Sequence, residues 1–376
     1  MPSPPDDGAQ PRYDLVVAYP RRLGATAHDT ASHRALASKL AGLLDCAFAA
    51  DYEPAPGAGK VYYVPAMTLG SAAAARLGIA GEADLFGGVV PHEFIATKAI
   101  THPLPDNATA PAPPGWSTDL GTRLQGLVLA GYTVFSPEDA LQAGILLLRS
   151  GPVRIKPVEA TGGRGQCKVG NEAELREALR AQEADEMARC GLVLEEHLEE
   201  VVTYSVGTVR LPGLEASYIG TQRLTPDNTG SPVYGGSDLL FVRGGFDHLA
   251  GQHWPGPMRQ AIEQARRYDA AVQACFAGFF ASRRNYDVAQ GLGPAGECRQ
   301  GVLEQSWRAG GASMAEACAL EALRDDPQLD RIRARTTEVY GGGDSQAADA
   351  TLVYDDDDPQ VGRIRKSAGV VRHGHV

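Results

Sequence analysis

The chain has 376 residues, of which 43% are hydrophobic and 22% charged, and its formal net charge is −11. This balance is typical of a soluble globular protein and excludes a disordered or fibrous one. The length predicts two or three modules packed together. Because no Lys/Arg-rich stripe offsets the negative charge, we expect small-molecule ligands and no nucleic-acid partner.

The sequence carries no targeting or membrane signal that we recognise. Residues 1–10 lack a basic segment followed by an apolar one, and no later stretch is apolar and long enough to cross a bilayer. The six cysteines show no C-x-x-C spacing, which is typical of reduced thiols. We therefore expect a cytoplasmic protein without a membrane partner, and a homodimer is left open.

The first predicted elements form a small α/β module. A β-branched run at residues 13–18 predicts a strand, and the apolar periodicity of residues 32–44 predicts a helix after it. A second strand is predicted at residues 61–64. The prolines between residues 104 and 116 forbid a regular helix or strand, so they predict a linker or a surface lid.

A glycine-rich loop follows a short predicted strand, VRIKP at residues 153–157. The loop leads into a second strand, and a helix and a third strand at residues 192–195 come next. An ammonium at the end of the first strand, Lys156, can bind phosphate oxygens while backbone N–H groups close over them. The loop residues that would do so are Gly162, Gly163, Arg164 and Gly165.

The spacing of this loop decides which nucleotide-binding motif it can be. GGRG does not match the P-loop pattern, and a loop between two strands disfavours a dinucleotide-binding G-x-G-x-x-G turn. A plain hairpin turn remains the alternative, since glycine often marks turns.

Two predicted strands near residues 285–288 and 301–305 each carry a carboxylate, Asp287 and Glu304. A glycine-rich turn separates them, so both side chains can share one face and offer hard oxygen ligands to Mg²⁺. Solvated carboxylates at strand ends are the alternative.

Taken in chain order, RIKPVEATGGRG, LVLEEHLEE, NYDV and LEQSWR resemble motifs of the ATP-grasp superfamily. The whole is similar to a bacterial family of ATP-grasp-like proteins of unknown function. The resemblance implies an α/β fold class, with two α+β lobes gripping ATP behind a Rossmann-like module. The implied modules are residues 1–90, 91–200 (small lobe), 201–340 (large lobe) and 341–376 (a strand pair and tail).

The same resemblance implies roles for individual residues. Lys156 and Arg308 would be catalytic, and Lys98 would contact the α-phosphate unless it is an exposed helix lysine. The residues implied at the adenine and ribose are Glu195, Glu196 and Leu198. The implied ligands of Mg²⁺, with Mn²⁺ left open, are Asp287, Glu304 and Ser306. Ser306 departs from the family pattern, where an asparagine is usual.

Substrate-binding residues are predicted near the loop at residues 227–238. Arginine side chains on the adjoining strands, Arg210 and Arg223, can bind a substrate carboxylate through two hydrogen bonds. Loop residues able to hydrogen-bond a polar ligand are Tyr234, Ser237 and Asp238. An ordinary surface loop is the alternative reading of this segment. The acidic run at 355–358 predicts a solvated turn.

The implied activity is that of an ATP-dependent ligase that joins a carboxylate to an amine or thiol through an acyl phosphate. Two other classes stay open, a protein that binds ATP and Mg²⁺ without turnover and a small-molecule kinase on the same scaffold. A Rossmann-type dehydrogenase is a more distant alternative.

Overall fold

The computed structural model of the chain describes residues 12–19, 24–50, 52, 59–159, 165–342 and 350–371. Within these ranges the strands form four sheets, two small ones near the N-terminus, one of four strands and one of eight. The predicted loop residues Gly162, Gly163 and Arg164 lie outside the described residues.

The N-terminal module has a parallel sheet of three strands in the order β2-β1-β3. Its elements are β1 (Leu15–Val17), α1 (Ala27–Leu43), β2 (Ala47–Ala49) and β3 (Val61–Tyr63). Helix α1 begins after Thr26, whose hydroxyl accepts a hydrogen bond from the Asp29 backbone N–H. Leu36 and Leu40 of α1 pack into the same hydrophobic core as Val16. The predicted strand–helix–strand order is present.

A second short segment leads from this module toward the rest of the chain. It contains β4 (Leu69–Gly70), α2 (Ser71–Arg76), β5 (Gly88–Val90) and three 3₁₀ helices, Glu82–Asp84, Glu93–Ala96 and Lys98–Thr101. The last of these helices contacts strands of both larger sheets. This position brings residues 98–102 between the two lobes.

The small lobe is an antiparallel sheet of four strands with helices on one face. Its elements are β6 (Gly131–Val134), α4 (Pro137–Leu148), β7 (Val153–Pro157), β8 (Cys167–Val169), α5 (Glu172–Arg180), α6 (Ala184–Cys190) and β9 (Leu192–Glu196). The preceding helix α3 (Thr118–Arg123) packs instead in the hydrophobic core on one side of the large sheet. The strand order is β6-β9-β7-β8. Strands β7 and β8 pair directly, so the predicted glycine loop does connect two neighbouring antiparallel strands.

The large sheet has eight antiparallel strands in the order β15-β14-β10-β11-β12-β16-β18-β17. The remaining elements are β10 (Glu199–Leu211), β11 (Leu214–Pro226), β12 (Pro232–Arg243), α7 (Phe246–Ala250), α8 (Gly256–Cys275), β13 (Phe280–Ala281), β14 (Arg283–Leu292), β15 (Cys298–Ser306), α9 (Ser313–Asp325), β16 (Arg331–Tyr340), β17 (Thr351–Asp358) and β18 (Gly362–Val370). Helix α8 packs on one face with Tyr286 and Val288, and α9 packs on the other with Tyr218 and Phe241.

One feature differs from the sequence prediction, and another crosses the boundaries of the predicted modules. The acidic run at 355–358 is the end of β17 and not a turn, because its backbone pairs with residues 362–365 of β18. The short strand β13 pairs with β5, joining residues of the predicted first and third modules. The division into modules itself stays a prediction.

Candidate functional site

Lys156 lies on the face of the small lobe that is turned away from its helices. Strand β7 alternates, so Val153 and Ile155 enter the core beneath α4 and α5 while Lys156 points to the opposite side. Lys156 is only 5% exposed, and its Nζ forms an ion pair with Glu195 Oε1. A buried ammonium requires such a partner, because an unpaired charge away from water is costly.

Glu195 reaches this position through the same alternation on the neighbouring strand. Leu192 and Leu194 of β9 enter the core, and Glu195, 2% exposed, faces Lys156. Its second oxygen accepts a hydrogen bond from His102 Nε2 at 3.1 Å. Burial alone would raise the pKa of Glu195, but the charge of Lys156 and the contact with His102 lower it to about 2. The three side chains form one buried charge network.

The segment that is predicted to lie at the adenine edge, residues 195–198, begins at Glu195 of this network. The Glu195 carboxylate is occupied by Lys156 and His102. The Glu196 carboxylate accepts hydrogen bonds from the Ala130 backbone N–H and from the Arg299 guanidinium, each at 2.9 Å. The Leu198 side chain is buried. Thus Glu195 is paired within the small lobe and Glu196 links that lobe to Arg299 of the large sheet, and their predicted contacts with a nucleotide stay predictions.

Lys98 lies between the two lobes, in the 3₁₀ helix Lys98–Thr101. It is 6% exposed, and its Nζ is 3.3 Å from Glu304 Oε2. Gln305 holds the preceding turn in place by donating to the carbonyl oxygens of Ile95 and Thr97, at 2.9 and 2.7 Å. The alternative of an exposed helix lysine is therefore wrong.

A β-bulge brings the two predicted metal ligands to one face of the large sheet. Val288 pairs with Val302 and Asp287 pairs with Glu304, so β15 has one extra residue at Leu303. Val288 and Val302 both enter the core beneath α8. Because of the extra residue, Glu304 joins Asp287 on the other face, where regular alternation would have separated them.

The two carboxylates repel each other in the absence of a cation. Burial raises the pKa of Asp287 to about 7, and the charge of Glu304 adds to this rise. A hydrogen bond from Gln222 to Asp287 Oδ1, 2.7 Å long, and the charges of Arg283 and Lys156 act in the opposite direction. The smallest of these effects is that of Lys156, which acts on Asp287 from the small lobe.

This pair fits a hard divalent cation. Two carboxylates on one face supply oxygen donors of the kind that Mg²⁺ and Mn²⁺ prefer, and a cation would relieve their repulsion. In the part of the chain that the structure describes, no three His, Cys, Asp or Glu side chains cluster as a metal site. Mg²⁺ sites in proteins usually complete their coordination with phosphate oxygens and waters.

Ser306 and Arg308 are tied to one buried arginine. Arg283 Nη1 donates to the Ser306 carbonyl and hydroxyl oxygens, at 3.2 and 3.3 Å, and to the Arg308 carbonyl at 2.6 Å. The guanidinium of Arg283 is held in turn by Glu316 of α9 at 2.8–3.1 Å. The Ser306 hydroxyl lies on the Asp287 face, opposite Asn285, and it already accepts one hydrogen bond.

Of the predicted substrate residues, Tyr234 alone lines the cavity next to Arg308, whose volume is about 570 Å³. The Tyr234 hydroxyl is 2.8 Å from Ser237 Oγ, and Ser237 itself is buried. The ring packs so closely on Gly311 that a Cβ there would lie 2.5 Å from it. Glycine at 311 therefore leaves room for this tyrosine.

The charged residues among the other predicted substrate residues do not line this cavity, and each has protein partners. Arg210 forms ion pairs with Glu82 and Glu215. Arg223 donates to the Thr336 carbonyl oxygen and to the Thr337 hydroxyl, and Asp238 forms an ion pair with Arg335. The structure does not bring these three side chains to Arg308.

Sequence reasoning missed two residues of the site. His102 follows the 3₁₀ helix and contacts Glu195, and Gln222 of β11 contacts Asp287. Neither lies within a recognisable motif. A single polar side chain outside a motif is a weak signal, and for Gln222 only the sheet register makes it specific.

Solved structures with the same architecture define the class of fold. The chain matches N5-carboxyaminoimidazole synthetase from Staphylococcus aureus with a TM-score of 0.52 and 10% identity, covering 96% of this chain and 93% of that one. The complex of that enzyme with ADP gives a TM-score of 0.52 and 9% identity, covering 96% and 94%. Phosphoribosylamine–glycine ligase from Thermotoga maritima gives 0.51 and 12%, covering 96% and 92%. The fold is the ATP-grasp fold.

The family follows from the sequence. Residues 16–368 match the family described as protein of unknown function (DUF3182), and the chain belongs to that family. No curated protein matches the chain. Of the helices that the structure describes, none has the length and apolar character to span a membrane.

Proposed function

We propose that the protein is an ATP-dependent ligase that activates a carboxylate as an acyl phosphate and transfers the acyl group to an amine or a thiol. The observation that carries this proposal is the pairing of Asp287 with Glu304 on one face of the large sheet, where the charge of Lys156 from the small lobe acts to lower the pKa of Asp287. Lys98 joins the same site through Glu304. Ammonium groups opposite paired carboxylates suit a nucleotide triphosphate with its cation.

In the proposed reaction a carboxylate oxygen of the substrate attacks the γ-phosphorus of ATP. The bond from that phosphorus to the bridging oxygen breaks, and ADP leaves with the bond electrons. The amine or thiol then attacks the acyl carbon, phosphate leaves, and one proton is released. Lys156, Lys98 and Arg308 would stabilise the negative charge of the transferring phosphoryl group, and positioning would supply much of the rate.

Asp287 and Glu304 would hold the divalent cation, which when bound neutralises charge on the phosphates. The hydrogen bond from Gln222 orients the Asp287 carboxylate, and the bulge at Leu303 aims the Glu304 carboxylate. Glu195, itself held by His102, would fix the direction of the Lys156 ammonium. The cytoplasmic location and the module boundaries predicted above belong to the same proposal.

A thermal-shift titration tests nucleotide binding. ATP with Mg²⁺ should raise the melting temperature of the protein in a concentration-dependent way, because a ligand of the folded state stabilises it by mass action. In Lys156→Ala the rise should be largely lost at the same ATP concentration. The control is Lys168→Ala, which removes an exposed lysine of the next strand that pairs with Glu199; its rise should equal that of the parent.

Turnover is tested with hydroxylamine, which captures acyl phosphates as hydroxamates. The parent protein should release ADP and phosphate in the presence of a suitable carboxylic acid and form the hydroxamate. ADP release with a stable phosphorylated product and no free phosphate would favour the kinase class. A protein that binds ATP but never releases ADP with any acid of a broad panel would contradict the ligase.

A second candidate, an ATP- and Mg²⁺-binding protein without turnover, is favoured by Ser306. Its hydroxyl stands where the superfamily pattern has an asparagine, and it already accepts from Arg283. Because the serine side chain is shorter than asparagine and its hydroxyl already accepts a hydrogen bond, Ser306 would be a weaker third ligand of the cation. This candidate predicts the thermal shift with ATP and Mg²⁺ but no hydroxamate.

A further inference from the structure

The cavity beside Arg308 is built by three parts of the chain. Its walls are the first turns of α1, the segment 308–314, and the adjoining strands β16 and β18, with Val353 of β17 at one side. A volume of about 570 Å³ is in the range of small-molecule sites. The N-terminal module and the large sheet both contribute, so a ligand here would touch both.

One end of the cavity is acidic. Lys366 of β18 lies between two carboxylates, with its Nζ 3.1 Å from Glu338 Oε1 and 3.6 Å from Asp29 Oδ1. Glu338 and Lys366 face each other across β16 and β18, and both are largely buried. The two carboxylates outnumber the one ammonium at this end, where His28 Nδ1 also lies 3.3 Å from Asp29 Oδ1. Burial raises the pKa of Glu338, and the charge of Lys366 acts to lower it.

A basic side chain lines the same cavity. Arg308 is one of the lining residues, and it follows Ser306, whose hydroxyl is on the Asp287 face of the sheet. Tyr234 also lines the cavity, and its hydroxyl is 2.8 Å from Ser237 Oγ and 3.1 Å from Thr336 Oγ1. The cavity thus combines a guanidinium group with the acidic group at Glu338.

Helix α1 does not offer its N-terminus to an anion in this cavity. The His28 backbone N–H donates to Asp358 Oδ2 at 2.9 Å, and the Asp29 backbone N–H donates to Thr26 Oγ1 at 3.1 Å. Both acceptors belong to the protein, and Asp358 is itself a buried carboxylate. An anionic group of a ligand would therefore be drawn to Arg308, and a cationic group to Glu338 and Asp29.

We propose that this cavity binds an amino acid, with its carboxylate toward Arg308 and its ammonium against Glu338 and Asp29. The inference rests on the proposed function in one respect: the amino acid is taken to be the carboxylic acid that the ligase activates with ATP. The ammonium would offset the excess negative charge of the acidic end, and the carboxylate would be presented to the γ-phosphate. An acid without an amino group would leave that end uncompensated.

Binding is measured first without nucleotide, by isothermal titration at pH 8. The probes are the common L-amino acids and the ω-amino acids up to 6-aminohexanoate, each beside its unaminated acid, such as 4-aminobutyrate beside butyrate. At least one amino acid should bind at least tenfold more tightly than its unaminated counterpart. Equal binding of the two, or no binding by any amino acid of the panel, overturns the inference.

Two variants locate the ammonium. Glu338→Gln should weaken that amino acid at least tenfold, and Asp29→Asn, at a half-exposed position that folding tolerates, should weaken it about threefold. The control is Glu215→Gln, which removes a carboxylate of the same sheet that pairs with Arg210 outside the cavity. Unchanged affinity in both cavity variants would overturn the assignment.

The hydroxylamine assay then separates this inference from the ligase proposal. ADP and hydroxamate formed only with unaminated acids would leave the ligase standing and overturn the amino-acid assignment. Binding of an amino acid that depends on Glu338, without any ADP release, would support the cavity assignment and count against the ligase. If the ligase proposal and the amino-acid assignment are both correct, Glu338→Gln should raise the KM for the amino acid at least tenfold and leave the KM for ATP unchanged.

Discussion

The two lobes hold their charged side chains in opposite electrostatic balance. In the small lobe, Glu195 is buried between Lys156 and His102, and its pKa falls to about 2. In the large sheet, Asp287 faces Glu304 and its pKa rises to about 7. In the first network both oxygens of Glu195 have protein partners, although His102 Nδ1 is buried without a hydrogen bond among the described residues. The second pair is only partly compensated, by Lys98 and Gln222.

The Glu195 network therefore stabilises the folded protein. The Asp287–Glu304 pair destabilises it unless a ligand is bound. A buried pair strongly destabilises a protein when one partner is removed. A repelling pair does the reverse, because removing one carboxylate relieves the other. Removing one carboxylate should therefore lower the free energy of unfolding in the small lobe and raise it in the large sheet.

The largest effect is expected from Glu195→Gln. The variant leaves the buried Lys156 ammonium without its carboxylate, and the free energy of unfolding should fall by about 3–5 kcal/mol. Urea denaturation at pH 7 measures it. The pKa of Glu195 is lowered in the folded state, so this contribution is fully present above pH ~5 and is lost as the pH falls toward 2.

The matched control is Glu199→Gln. Glu199 also pairs with a lysine of the neighbouring strand, Lys168, but both side chains are exposed. Solvent screens such a pair, so the variant should unfold at nearly the same urea concentration as the parent. If the two variants were equally stable, the buried network would not support the small lobe.

A smaller effect of opposite sign is expected from Asp287→Asn. At pH 8 the ligand-free variant should be more stable than the parent by about 1–2 kcal/mol, since it no longer holds two carboxylates together. The folded-state pKa of Asp287 is raised, so the parent loses this stability as the pH rises from ~4 through 7. Unfolding curves at pH 5, 6, 7 and 8 should show the difference growing with pH.

The same variant should lose the Mg²⁺-dependent part of the thermal shift with ATP. A gain in stability together with a loss of binding is characteristic of a charge pair kept for a ligand. A variant that is less stable than the parent at every pH would show that Asp287 supports the fold instead.

The comparison also shows which parts of the site can be predicted from sequence. Alternation along β7 and β9 is regular, so Lys156 and Glu195 can be placed on the outer face from the pattern of Val153, Ile155 and Leu194 alone. The ATP-grasp resemblance is confirmed, and the predicted succession of strand, strand, helix and strand is present from β7 to β9, with the helix divided into α5 and α6. Local periodicity and short-range order carry this information.

The large sheet is less predictable because its site depends on non-local geometry. Glu304 reaches the face of Asp287 only through the bulge at Leu303, which no residue pattern announces. His102 and Gln222 enter from segments distant in sequence. The prediction of a turn at the acidic run 355–358 is wrong. The charge pattern indicates repulsion, but the backbone pairing with β18 outweighs it.

The smallest effect is expected from Ser306→Asn, which tests how complete the carboxylate site is. An asparagine oxygen can still accept the hydrogen bond from Arg283 and reaches farther toward Asp287 and Glu304, so the Mg²⁺ concentration for half-maximal thermal shift with ATP should fall about three- to tenfold, roughly 1 kcal/mol. The control is Ser306→Ala, which removes the hydroxyl and should raise that concentration. Because Arg283 keeps Glu316 and two carbonyl partners, neither variant should unfold the protein. An unchanged Mg²⁺ requirement in both would show that residue 306 does not contact the cation, and the carboxylate pair would then hold it without a third side chain.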